Sequence, residues 1–167
     1  MWWHKLKFAY CIVLMLAVAG CSTINIGQLD ETVSTKVSSV TVVETSGRAG
    51  QLYSRALRQS LYLYGQVTPA YKLTSSIAIS SSSTLSVRGV SSTFRKLTMV
   101  ANFELTEQES GKVLLEDKVT ADATLGTVSS LFGQDQSELH ARDRMATLIA
   151  QRVAQRIQLH FLESKEN

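Results

Sequence analysis

The spacing of hydrophobic positions changes period several times along this chain, and each change predicts an element. Residues 8–18 are apolar without a charge, and residues 22–36 are polar and weakly patterned. Residues 37–44 are rich in β-branched side chains and predict a first strand. Over residues 48–64, Leu52, Tyr53, Ala56, Leu57, Leu61 and Tyr64 recur at three- and four-residue spacing, with Gln51, Arg55, Arg58 and Gln59 opposite, which predicts an amphipathic helix closed by Gly65 and Pro69. Alternation then takes over: Tyr71, Leu73, Ser75, Ile77 and Ile79 mark a strand over 70–80. The clearest period of two lies at 93–106, where Leu97, Met99, Ala101, Phe103 and Leu105 face one way and Lys96, Thr98, Asn102 and Glu104 the other. Residues 107–112 predict a hairpin turn with Gly111 free to take positive φ. Val113, Leu115, Val119, Ala121 and Ala123 form a fourth strand whose apolar row Asp117 interrupts. Asp135 with Glu138 fits a capping box, and a final helix runs to about Leu162 with Leu139, Ala146, Ile149, Val153, Ile157 and Phe161 as its buried stripe.

The order β-α-β-β-β-α, with three consecutive strands sharing one apolar face, predicts an α+β two-layer sandwich: a four-stranded sheet with two helices on one face. Its other face can remain solvated, as antiparallel sheets permit. Serine-rich stretches at 80–84 and 91–93 flank Val87-Arg88-Gly89-Val90 and predict an exposed tip between the second and third strands. Residues 125–134, bracketed by Gly126 and Gly133, predict a loop carrying the apolar pair Leu131-Phe132.

The apolar run 8–18 is too short to span a bilayer, which needs roughly 20 residues. Lys5 and Lys7 before it and Val18-Ala19-Gly20-Cys21 after it supply the basic, apolar and small-residue parts of a secretory signal. The end looks like a lipobox, the bacterial motif in which the cysteine is acylated and becomes the first mature residue. Small residues let the peptidase approach the backbone, and the thiol forms the thioether. Ala9-Tyr10 before Cys11 is bulkier and lies inside the apolar run. The division expected is a leader at 1–20, a lipidated tether at 21–36 and a domain at 37–163. Ser22 stands where an Asp often marks inner-membrane retention, so the expected location is the periplasmic face of the outer membrane.

This leader alters the charge arithmetic. The whole chain has 17 Lys+Arg, 14 Asp+Glu and a net charge of +3, but two of those lysines leave with the leader. A nearly neutral mature chain does not fit a nucleic-acid binder. With Cys11 removed and Cys21 acylated, neither disulfide nor thiol nucleophile is left.

Little in the remainder points to catalysis. His140 and His160 lie far apart on the last helix, beyond the i, i+4 spacing of a two-histidine metal motif, so no metal site is expected. No serine sits in a Gly-x-Ser-x-Gly elbow, and no phosphate-cradling glycine motif occurs. Asp117 and Asp122 point to opposite faces of their strand. The expectation is a protein that is not an enzyme and needs no cofactor beyond the diacylglycerol and N-acyl groups on Cys21. Two features suit binding instead. Arg88, Arg95 and Lys96 gather around the tip, where they either hold phosphate or carboxylate groups or simply keep a hairpin end soluble. Leu131 and Phe132 either meet a partner or staple the start of the last helix.

The lipobox and first strand are followed by Gly50-Gln51-Leu52-Tyr53-Ser54-Arg55-Ala56-Leu57 and Ala70-Tyr71-Lys72-Leu73. Then come Arg95-Lys96-Leu97-Thr98-Met99-Val100-Ala101-Asn102-Phe103-Glu104-Leu105, Ser110-Gly111-Lys112-Val113-Leu114 and Ala146-Thr147-Leu148-Ile149-Ala150-Gln151-Arg152-Val153. Together these resemble the LptE family of lipopolysaccharide-assembly lipoproteins, particularly its alphaproteobacterial branch, over nearly the whole chain from Cys21 to about Leu162. The resemblance implies a non-catalytic lipoprotein that plugs the outer-membrane β-barrel LptD and helps deliver lipopolysaccharide to the outer leaflet. It also implies lipopolysaccharide binding through basic residues, of which Arg88, Arg95 and Lys96 are nearest by position. Ser22-Thr23 stands where many members have Gly-Phe, and Ala123-Thr124-Leu125-Gly126 replaces a Ser-Tyr-Asn-like segment. The rival roles are an accessory lipoprotein of another envelope complex, such as a lipid ABC transporter, and a small periplasmic hydrolase.

Overall fold

The computed structural model describes residues 31–62, 67–84, 94–126 and 130–166. At its centre, the strict alternation of residues 93–106 becomes β3 (Phe94–Glu107), with Leu97, Met99, Ala101, Phe103 and Leu105 all buried. It pairs antiparallel with β2 (Tyr71–Thr84) on one side and β4 (Val113–Leu125) on the other. A short β1 (Val40–Val42) runs parallel to β2, so the order across the sheet is β1-β2-β3-β4. The hairpin between β3 and β4 closes as expected: Gly111 takes φ +68 and its N–H donates to the Glu107 carbonyl at 2.9 Å.

Three helices cover the side of the sheet on which the odd-numbered residues of β3 lie. They are α1 (Glu31–Ser38), α2 (Gly47–Leu61) and α3 (Leu131–Glu166). Tyr53, Leu57 and Leu61 of α2 join Met145, Ile149, Val153, Ile157 and Phe161 of α3 in one core with the strand residues. Each such aliphatic or aromatic side chain contributes about 1.5–3 kcal/mol by leaving water. The α+β reading therefore holds, with the order α-β-α-β-β-β-α and one helix more than expected.

That extra helix corrects the boundary of the tether. Residues 31–36 belong to α1, which buries Val33 and Val37 completely, while Ser34 and Thr35 hydroxyls donate back to the Glu31 carbonyl at 2.8 Å. Two valines four apart suffice because α3 supplies the surface they pack on. The strand expected over 37–44 shrinks accordingly to Val40–Val42, since Val37 is a helical core residue.

The serines at 80–83 are strand, not tip. Their backbone continues the ladder, Ser81 opposite Leu97 and Ser83 opposite Arg95. A ladder depends on backbone groups, so it extends beyond the hydrophobic alternation that made it visible. The capping box at Asp135 is also corrected: α3 starts at Leu131, and Ser130 receives the Gly133 N–H on its hydroxyl at 3.4 Å and the Gln134 N–H on its carbonyl at 3.0 Å. Of the stripe expected on this helix, Ala146, Ile149, Val153, Ile157 and Phe161 are buried, whereas Leu139 is 40% exposed.

At 36 residues, α3 is about 54 Å long. It reaches Arg95 at the start of β3 through Glu138, and Tyr71 at the opposite end of the sheet through Phe161, whose ring centroid lies 5.0 Å away. The turns before Glu138 therefore carry α3 toward and past the end of the sheet at which β2 leaves and β3 returns.

Candidate functional site

Of the residues singled out from the sequence, Arg95, Lys96, Leu131 and Phe132 are described, and they lie at the start of β3 and the start of α3. Arg88 and Cys21 lie outside the described residues. Arg95 and Lys96 open β3, and as strand neighbours they point to opposite faces. The Arg95 guanidinium reaches over the helix side and donates to Glu138 at 2.7 Å; Arg142, one turn further along α3, donates to the other oxygen of the same carboxylate. Lys96 projects on the open side, 3.1 Å from Asp122, which also accepts the Thr98 hydroxyl at 2.6 Å. The two cations thus form two separate ion-paired clusters across the sheet. Arg95 is 51% exposed and Lys96 46% at the side chain, so both heads remain in contact with water.

Electrostatics follow from these contacts. Burial disfavours a charge on Glu138, but hydrogen bonds and attraction from Arg142 and Arg95 outweigh it and hold the carboxyl below its usual range. Asp122 is lowered by the Thr98 hydroxyl first and then by Lys96. Guanidinium carries five N–H donors, more than Glu138 takes from Arg95, so Arg95 keeps donors for a further oxyanion. The Arg142 Nε is buried without a hydrogen-bond partner.

Leu131 and Phe132 form the first turn of α3 and are 80% and 73% exposed, so they do not staple the helix start. Phe94, at the beginning of β3, is also exposed. A cleft of about 110 Å³ between β2, β3, the end of β4 and α3 is lined by Ser83, Arg95, Leu125 and Glu138 among others.

Sequence reasoning missed the partners. Glu138 was legible only as a cap, although it ties α3 to β3, and Asp117, an interruption in an apolar row, faces Arg156 of α3 at 3.6 Å. A charge on a core-facing position was itself the signal, because such a group needs an opposite charge nearby. His140 is exposed, and the His160 ring lies 5.7 Å from that of Phe161. Among the described residues no group of His, Cys, Asp or Glu is arranged to hold a metal ion. No described helix is long and apolar enough to cross a membrane, which says nothing about β-barrels.

The sequence profile of the LptE lipopolysaccharide-assembly family matches residues 34–157, well over half of the chain and every strand of the sheet. The chain belongs to the LptE family. No curated protein matches it by sequence. Among solved structures, the LptE domain is similar to a protein from Caulobacter crescentus CB15 described as a lipoprotein, at 18% identity and a TM-score of 0.61, covering 78% of this chain and 96% of that one. It is also similar to a minor lipoprotein from Acinetobacter baumannii, at 16% identity and a TM-score of 0.52, covering 74% of this chain and 94% of that one. At such identities the two structures establish a shared fold.

Proposed function

We propose that this LptE-family chain is a non-catalytic outer-membrane lipoprotein, anchored through acylated Cys21, that plugs the β-barrel LptD and assists lipopolysaccharide delivery to the outer leaflet. The observation that carries this reading is the family match across the folded domain. The architecture supports it physically: a rigid sheet-and-helix body needs no bond-making residues to occupy a lumen, and its mixed polar surface suits a wet interface. Leu131 and Phe132 are the apolar side chains offered to the barrel wall. Arg88, Arg95 and Lys96 are the groups offered to lipopolysaccharide phosphates, Arg95 through the donors that Glu138 leaves unused.

The test is binding of purified lipopolysaccharide to the chain in which Arg88→Gln, Arg95→Gln and Lys96→Gln are combined. Loss of these charge-assisted contacts, each contributing about 1.5–3 kcal/mol, should weaken binding at least tenfold while the melting transition stays cooperative. Unchanged affinity in a folded triple variant would remove these residues from the site.

A further inference from the structure

The two edges of the sheet are finished differently. At the β4 edge, two of the outward backbone groups are occupied by the protein itself: the Lys118 N–H donates to the Asp117 carboxylate at 2.7 Å and the Thr120 carbonyl accepts from Arg152 at 2.6 Å. A register shift opposite Leu105 and Thr106 disturbs the same strand, and Glu116, Lys118 and Asp122 add exposed charge. Charges, bulges and capped carbonyls are the devices that prevent a further strand from joining an edge.

On its outer side, β2 has none of these. β1 pairs only with Tyr71, Lys72 and Leu73, the Val43 N–H reaches the Leu73 carbonyl at 2.9 Å, and the Thr45 hydroxyl reaches the Ser75 carbonyl at 3.4 Å. These bonds fix which backbone groups point outward, namely those of odd-numbered residues. Beyond Ser75, the outward N–H and C=O groups of Ile77, Ile79, Ser81 and Ser83 have no partner among the described residues. From Ser75 to Thr84 the strand has no charged residue and no proline. Alongside it runs a cleft of about 280 Å³, floored by Ile77, Ile79 and Leu139 and overhung by the start of α2 with Arg48, which is held to Asp143 at 3.1 Å.

We propose that this edge receives one extended segment of a partner protein as a fifth strand, uncharged at its centre, with small aliphatic side chains at alternate positions entering the cleft. An open ladder of N–H and C=O groups recognises extended backbone, and Ile77, Ile79 and Leu139 in the cleft select small aliphatic side chains, although Arg48, Arg142 and Asp143 also line it. A second copy of the chain fits less well. An edge-to-edge contact about 30 Å long and ~10 Å thick buries on the order of 600 Å² in total, about half of what a stable pair needs. The inference is independent of the lipopolysaccharide reading, since it concerns the opposite side of β2 from the Lys96–Asp122 cluster and requires no anion.

The experiment uses the full mature chain and, as probe, a synthetic ten-residue peptide of alternating valine and threonine flanked by lysines, with amide exchange followed by NMR. The peptide should slow exchange at Ile77, Ile79, Ser81 and Ser83 at least tenfold and leave the Thr120 amide unchanged. Ser81→Pro removes an N–H that β3 does not use, so it should weaken the peptide tenfold or more. Ser83→Lys, which leaves every backbone donor in place, should weaken it about threefold and decides the matter if the proline variant unfolds. Equal binding by the folded variants, or no slowing at these four amides, overturns the proposal. Slow exchange there without peptide also overturns it, indicating a second copy if it grows with protein concentration and the chain's own residues if it does not.

Discussion

A β-carbon on residue 50 would lie 2.6 Å from the Thr45 carbonyl oxygen. Gly50 is buried in the first turns of α2 because the chain leaving β1 passes directly over it, and that passage is fixed by short polar contacts. The Thr45 N–H donates to the Ser54 hydroxyl at 3.1 Å, and the Tyr53 phenol is hydrogen-bonded to the Ser75 hydroxyl at 3.0 Å. Burial pushes the Tyr53 phenol up to about 12, although the Ser75 contact acts the other way, so it stays neutral at physiological pH. Gly50→Ala should therefore cost about 1–3 kcal/mol, read as a lower urea midpoint with an unchanged slope. An unchanged midpoint would show that the Thr45 segment yields freely. Residue types alone did not reveal this contact: Gly50 was visible as one member of a helix-forming segment, but a close backbone approach is a property of two segments meeting.

Elements were legible where one face is dry and the other wet. β3 satisfies this from Leu97 to Leu105 and its boundaries match closely; the serine-rich end of β2 is exposed on both faces, and the dry face of α1 holds only two valines beside two serines, so the sequence reads them as loop and tether. The same limit applies to the join between α3 and β3, where Glu138 binds Arg95 and Arg142. Because the folded-state pKa of Glu138 is lowered, the unfolded chain binds more protons near its ordinary pKa of about 4.3. The stabilisation is complete above that value and is lost as pH falls through the lower, folded-state pKa. Glu138→Gln should thus be less stable than the parent at pH 7, and the difference should shrink as pH is lowered through 4 toward 3. Urea midpoints measured across that range check it, and a gap that stays constant with pH would mean the ion pairs contribute nothing through charge.

At the scale of the whole molecule, fold and family were visible in the sequence, whereas the arrangement of the basic tip was not. Adjacent positions such as Arg95 and Lys96 look like one cluster in a linear chain, yet the pleat sends them to different faces and gives each an acidic partner. The chain's small net charge of +3 likewise conceals how charge is distributed between a helix-covered face and an open one. The central proposal is one about assembly: a body tethered through Cys21 and held within a barrel. It is tested most directly by purifying the tagged chain from detergent-solubilised outer membrane, beside a Cys21→Ser form, and identifying what accompanies it. The account predicts one LptD-type β-barrel per chain, with the Cys21→Ser form lost from the membrane fraction. A stoichiometric inner-membrane transporter in place of the barrel, or no barrel at all, would contradict it.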